Sequence, residues 1–256
     1  MISLNWIAFR TIVYKEVRRF MRIWQQTLLP PAITMVLYFI IFGNLIGSRI
    51  GEMGGFDYMQ FIVPGLIMMS VITNSYGNVS SSFFSNKFQR SVEEMMVAPV
   101  SNFTILSGFV VGGVVRGLLV GAIVTLLSLS FTSLQVHNLF VTISMITMTA
   151  VVFSLGGFIN AIYATKFDDV TIVPTFILTP LTYLGGVFYS ISLLPEFWQF
   201  VSLLNPVLYM VNAFRYGILG VSDINIWLAF GMLFLFTAIL LAWSINLLHR
   251  GVGLRS

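Results

Sequence analysis

GLLVGAIVTLLSLSFTSLQVHNLFVTISMITMTAVVFSLGGFINAIYAT, residues 117–165, contains no Asp, Glu, Lys or Arg. A hydrocarbon core about 30 Å thick is crossed by about 20 apolar residues in a helix. The run is long enough for two crossings, and Gln135-Val136-His137-Asn138 near its middle supplies the polar turn. Four other uncharged runs, residues 23–48, 58–86, 170–195 and 224–249, fit one helix each. The expected fold is an all-α membrane protein with spans at 26–48, 58–80, 104–130, 139–163, 171–190 and 226–248.

Composition points the same way. Hydrophobic residues make up 57% of the 256-residue chain and charged residues 9%, which excludes a soluble globular domain of this length. Six helices and their connections leave no room for an extramembranous catalytic domain. The chain has no Cys, so disulfides, thiolate chemistry and cysteine metal sites are excluded. The formal charge of +4 is no sign of nucleic-acid affinity; its distribution matters more.

If both termini are cytoplasmic, ten cations lie inside: Arg10, Lys15, Arg18, Arg19, Arg22, Lys87, Arg90, Lys166, Arg250 and Arg255. Arg49 and Arg215 lie outside, and Arg116 falls within a span. The positive-inside rule rewards that bias. Basic residues interrupt the first apolar stretch, so no cleavable signal peptide is expected. Residues 2–24 instead read as an amphipathic helix lying on the membrane. Ile2, Phe9, Val13, Val17, Phe20 and Trp24 share one face, opposite Lys15, Arg18, Arg19 and Arg22, whose charges can meet anionic headgroups.

Residues 84–98 read as a short cytoplasmic helix of mixed charge. Pro99 stops it, and Ser101-Asn102 offers a cap for the next span. Lys166-Phe167-Asp168-Asp169 is a short solvated connection. Residues 190–225 are too apolar for a watery loop and too interrupted for a span, so short helices re-entering the outer leaflet are expected. Trp198, Tyr209 and Tyr216 would there sit at headgroup level.

Absences narrow the energy source. None of the three lysines is followed by Ser or Thr, so there is no P-loop. The nine acidic residues read as loop or span-end positions, which disfavours a carrier driven through midplane carboxylates. His137 and His249 are expected at opposite membrane faces, so no acid–base pair or metal site forms between them. A transporter without a motor must borrow one, and residues 84–98 offer the attachment. A motorless channel or scaffold is the alternative; a membrane-bound transferase, lacking a converging acid–base pair, ranks behind both.

Glu93-Glu94-Met95-Met96-Val97-Ala98-Pro99-Val100-Ser101 resembles the E-x-L-L-x-[ST/A]-P-V-S stretch of ABC-2 type transporter permeases. Asn205-Pro206-Val207-Leu208-Tyr209 with Ala213-Phe214-Arg215 is similar to their N-P-L-x-Y and A-x-R element before the last span. Residues 180–188, with Leu194-Pro195 after them, are similar to their fifth-span P-L-x-F-x-[SG]-G-x-F and L-P. The likeness covers essentially the whole chain and implies a small bacterial inner-membrane permease without its own ATPase site. It would pair with a second copy of itself and two copies of a separately encoded ATPase, which would hold ATP and Mg. Two positions depart from the family pattern: Arg90-Ser91 stand where Gly-Thr is common, and Asn212 stands where an acid is common.

The resemblance divides residues 1–256, one transmembrane domain, into an interface helix (1–25), spans one and two (26–82) and a coupling helix (83–101). Spans three to five (102–190), a periplasmic re-entrant segment (191–225) and the last span with its tail (226–256) complete it. It assigns ATPase coupling to Arg90, Glu93, Glu94, Met95 and Pro99. Within the spans, Arg116 either lines the translocation pathway or snorkels to headgroups. Asn74, Tyr76 and Asn78 either line that pathway or bond between helices. Gly113, Gly117 and Gly121 form a close-packing face, within one subunit or at a dimer seam.

Overall fold

The computed structural model describes residues 2–253, the side chains of Ile2 and Asn44 excepted. Arg255, counted among the inside cations, and Ile2 of the apolar face therefore lie outside the described side chains. The chain is almost wholly helical. α1 (Ile2–Arg22) bends at Ile23 into α2 (Trp24–Ile50), whose residues Phe39–Ile46 widen into a π-helix. Two strands, β1 (Glu52–Met53) and β2 (Phe56–Asp57), then pair antiparallel. Gly54 and Gly55 form their two-residue turn with φ of 62° and 81°, the left-handed pair such a hairpin needs. The apolar-run reading of the sequence passed over this hairpin.

α3 (Tyr58–Phe88), capped by the Asp57 carboxylate, is followed by the short α4 (Ser91–Val97) and then by α5 (Asn102–Ser128). α6 (Leu139–Tyr163) begins at Asn138, whose side chain accepts from the Val141 amide. α7 covers residues 167–183 with a π-helical middle, Pro174–Leu178. After a 3₁₀ turn at Ile191–Leu193 come α8 (Glu196–Leu203), α9 (Pro206–Leu219) and α10 (Ile226–Arg250). Among the described residues five helices, α2, α3, α5, α6 and α10, are long and apolar enough to cross a membrane.

The fifth predicted span needs correction. Residues 171–190 do not form one helix: α7 starts four residues earlier and ends at Tyr183. Asp169 explains the early start, because its carboxylate accepts from the Thr165 amide and hydroxyl, both at 2.8 Å, and from the Lys166 amide. The end is set by Gly185-Gly186, where Gly186 turns to a φ of 69° that side-chain-bearing residues rarely adopt. Residues 167–183 rise only about 25 Å as a helix, short of the hydrocarbon thickness.

α3 is the axis of the bundle. It packs against α5, α6 and α9 and is buried nearly all round, whereas α2 and α10 expose most of their surface. The close-packing face on α5 is used inside the subunit. A Cβ at Gly117 would meet the Ser75 side chain and come 3.3 Å from the Val71 carbonyl oxygen of α3; Gly113 and Gly121 face α3 and α6 in the same way. With no hydrophobic drive between helices in lipid, such backbone proximity is a main source of adhesion. A second pair, Gly108 and Gly112, receives α1: added Cβ atoms would lie 2.7 Å from Ile12 Cγ2 and 2.6 Å from Glu16 Cβ.

The buried face of α1 consequently differs from the predicted one. Ile12, Glu16 and Phe20 are buried, at i, i+4 and i+8, while Trp24 is exposed and Phe9, Val13 and Val17 are half-buried. Periodicity identified an apolar arc, but the glycine pair on α5 decides which part of it is covered.

Candidate functional site

The end of the bundle holding the C-termini of α3, α6 and α10 also holds α1 and α4. Residues 84–98 do not form a single helix. α3 continues to Phe88, and the chain breaks at Gln89-Arg90, with Arg90 left-handed at a φ of 60°. α4 then runs from Ser91 to Val97 and stops where Ala98, extended ahead of Pro99, leaves the helical region. Val92 anchors α4 in the core at this end, with Met95 and Met96 half-buried beside it. Glu94 and Pro99 are exposed, and Val97 is 87% exposed despite being apolar. Phe88, at the end of α3, and Phe167 are exposed too, 5.1 Å apart between ring centres.

Four hydrogen bonds brace this elbow. Ser101 caps α5 by accepting from the Thr104 amide, and its own amide donates to Asn5 Oδ1 of α1 at 3.0 Å. Lys87 Nζ donates to the carbonyl oxygens of Ile162 and Ala164 at 2.5 and 2.7 Å, closing the C-terminus of α6. The start of α1 is thus tied to the α4–α5 junction, and the end of α3 to the end of α6.

Beside the elbow lies a polar seam that sequence reading missed. Glu16, read there as one of the loop or span-end acids, is completely buried within α1. Its carboxylate accepts from Ser82 Oγ at 2.7 Å and pairs with Arg19 at 3.4 Å and Lys15 at 3.5 Å. Arg19 also donates to Asn78, at 2.8 Å to Oδ1 and 3.1 Å to the carbonyl oxygen. An acid in helical register with Ile12 and Phe20, facing a Gly-x-x-x-Gly pair on another helix, was the signal available.

The polar residues expected within the spans fall into three settings. Asn78 is engaged by α1. Arg116 donates to Asn74 Oδ1 at 3.1 Å and to the Thr27 carbonyl at 3.3 Å, joining α5, α3 and the α1–α2 bend. Tyr76 is 3% exposed; with Phe153, Asn160 and Trp243 it lines an apolar cavity of about 500 Å³. The structure does not bring these four residues into one channel.

At the opposite end, Asn205, Pro206, Tyr209 and Arg215 organise the corner around α9. Asn205 accepts from the Val207 amide and donates to the Leu181 carbonyl at 2.6 Å, tying α9 to α7. Pro206 occupies the first turn, where it gives up no helical bond. Tyr209 is buried, its hydroxyl donating to the Leu203 carbonyl at 2.8 Å. Trp198 is exposed, and half-buried Tyr216 meets His137 edge-on.

Arg215 is not an outside loop cation, as the charge count assumed, but 1% exposed within α9. Its guanidinium donates to the carbonyls of Phe61 (3.3 Å) and Gly186 (2.5 Å) and to Asn212 Oδ1 (3.3 Å). It also lies 3.9 Å from the centre of the Phe61 ring. Asn212 Oδ1 accepts the Asp223 amide as well, so the amide in place of an acid still links Arg215 to the Asp223 turn. Gly65 permits this corner: an added Cβ would come 2.6 Å from the Val187 carbonyl oxygen.

Among the described residues no group of His, Asp and Glu is arranged to hold a metal ion. The whole arrangement is one of helix junctions braced at two ends, not of a reaction centre. The ABC-2 type transporter profile matches residues 7–219. The inner membrane transport permease YadH of Escherichia coli K12 is 60% identical over 259 aligned residues, covering 100% of both chains. Nodulation protein J of Rhizobium leguminosarum bv. trifolii is 23% identical over 97% of this chain and 94% of its own. With a profile match that takes in both the α4 elbow and the α9 corner, the chain belongs to the ABC-2 type transporter family, whose membrane domain carries no ATPase domain.

Proposed function

We propose that the chain is the permease subunit of an ATP-binding cassette exporter in the bacterial inner membrane. It works with a separately encoded ATPase, and two copies of each form the transporter. α7 serves as a short fifth crossing, making six with the five long helices, and both termini face the cytoplasm. The charge distribution supports that orientation. Nine basic residues of the inside set lie at the α1–α4 end, Arg255 follows in the tail, and the burial of Arg215 leaves Arg49 as the exposed cation opposite.

The observation that carries the coupling assignment is α4 itself. It is a short helix held by Val92 and Pro99 between two long helices, presenting Val97, Glu94 and neighbouring aromatic rings at the charged end of the bundle. An ATPase seated there would push on α3 and α5 together, and through Asn5 on α1. Arg90, Glu93, Glu94, Met95 and Pro99 form this coupling segment. ATP and Mg belong to the partner, and the cargo is an amphipathic, lipid-linked or drug-like molecule moved outward. Arg116, Asn74, Tyr76 and Asn78 contribute to the pathway through the helix contacts they hold rather than as one open lining.

Glu93→Arg places a cation on the docking face, where a mismatched charge costs several kcal/mol. It should return ATP hydrolysis in the assembled transporter to the unstimulated rate while leaving membrane insertion intact. Unchanged stimulation removes α4 from coupling. Failure of any ATPase to copurify with the wild-type chain favours the motorless channel or scaffold.

A further inference from the structure

A cleft of about 610 Å³ opens between α1 and the end of α3, on the same side as α4. Lys15, Arg18, Arg19 and Arg22 line one wall, with Thr11 and Tyr14; Ser82, Ser85, Asn86 and Gln89 line the other. None of its lining residues is acidic. The nearby carboxylate, Glu16, is fully buried behind the wall and taken up by Ser82, Arg19 and Lys15. Four cations against one compensated acid leave a strongly positive cleft walled by small hydrogen-bonding side chains.

Three of the four cations are held in place. Lys15 Nζ donates to Asn86 Oδ1 at 3.0 Å across the cleft. Arg19 is fixed by Asn78, and its Nε is a buried donor without an acceptor among the described residues. Arg18 leans on the Tyr14 ring, 5.9 Å from its centre, while Arg22 stays exposed. A preset group of guanidinium and ammonium donors suits a phosphate, whose oxygens accept several charge-assisted bonds at once. An exposed basic helix face would attract anions without the opposing wall; here Ser82, Ser85, Asn86 and Gln89 close around what it attracts.

We propose that this cleft binds a phosphate-bearing headgroup at the cytoplasmic membrane surface. The membrane-facing orientation rests on the permease reading above; the anion site does not depend on an ATPase. Because the seam joins α1 to α3 next to α4, an occupied cleft stiffens the elbow through which the motor acts.

The test is native mass spectrometry of the purified chain after exposure to phosphatidylglycerol, phosphatidylcholine or inorganic pyrophosphate. Wild type should retain phosphatidylglycerol over phosphatidylcholine. Lys15→Gln, Arg18→Gln and Arg22→Gln together should weaken retention about a hundredfold, at about fivefold per cation. All three side chains are exposed, and the buried Glu16 keeps Ser82 and Arg19 when Lys15 is replaced, so folding should survive. Arg10→Gln, Arg49→Gln and Arg250→Gln, removing equal charge elsewhere, should change retention little. Retention of pyrophosphate by wild type but not the cleft variant also supports the site and assigns it to free phosphates. Equal loss in both variants, or no anion retained by wild type, overturns the proposal. Neither result bears on whether an ATPase copurifies, so the two readings fail separately.

Discussion

Arg215→Leu should disassemble the outer corner of the bundle. The substitution removes a donor from the carbonyls of Phe61 and Gly186 and from Asn212 Oδ1, all at a residue 1% exposed. Asn212 Oδ1 keeps the Asp223 amide, but each of the two buried carbonyls that loses its guanidinium donor costs about 1–3 kcal/mol, and the contact over Phe61 is lost too. Removing a desolvated cation returns part of this, which leaves a net loss of about 4 kcal/mol. At about 2–4 °C per kcal/mol for a chain of this size, the unfolding midpoint in detergent should fall roughly 10 °C. Arg215→Lys keeps the charge without the planar fork and should fall between. A midpoint within a degree of wild type for Arg215→Leu would show that the corner is held by something else.

Gly117→Leu should have the larger effect, because it forces apart the two helices that form the centre. The added side chain meets Ser75 and the backbone of α3 at the Val71 carbonyl, and backbone cannot rotate away. Overpacking costs about 1–3 kcal/mol even where neighbours can adjust; here the helix must shift. The expected outcome is loss of the monodisperse peak in size-exclusion chromatography of the detergent extract. Gly231→Leu, on α10 where an added Cβ meets nothing within 4 Å, should keep that peak. Equal behaviour of the two variants would mean that α3 and α5 are not packed through this glycine.

Much of the architecture was readable because lipid imposes simple rules. Uncharged runs of sufficient length must be helices, and Asn138, Ser101 and Asn205 cap them as short polar side chains do. What the runs could not reveal was direction around each helix. In a chain apolar on every side, a lipid-facing Leu and a protein-facing Leu look alike. Only the glycines of α5 carry that information: Gly113, Gly117 and Gly121, legible as a close-packing face, meet α3 and α6, while Gly108 and Gly112, which the sequence reading passes over, receive α1.

Charge misled for a related reason. Glu16 and Arg215 were counted as surface residues because charge is costly to bury. Both are buried because tertiary partners distant in sequence, Ser82 for one and the Gly186 carbonyl for the other, compensate them. The shortened α7 follows from a left-handed glycine whose carbonyl serves Arg215, and no local pattern announces that pairing. The elbow was legible through Pro99 and Ser101, but the break at Arg90 was not, since a left-handed arginine is uncommon in any context.

The absence of cysteine makes the docking claim directly measurable. A single thiol introduced as Val97→Cys on α4, or as Val136→Cys in the α5–α6 turn, is exposed at one end of the bundle or the other. Maleimide labelling should reach both in the isolated permease. Assembly with the ATPase should shield position 97 and leave position 136 reactive. A thiol at 97 that labels equally fast in the complete transporter, or shielding at 136 instead, would contradict a motor seated on α4.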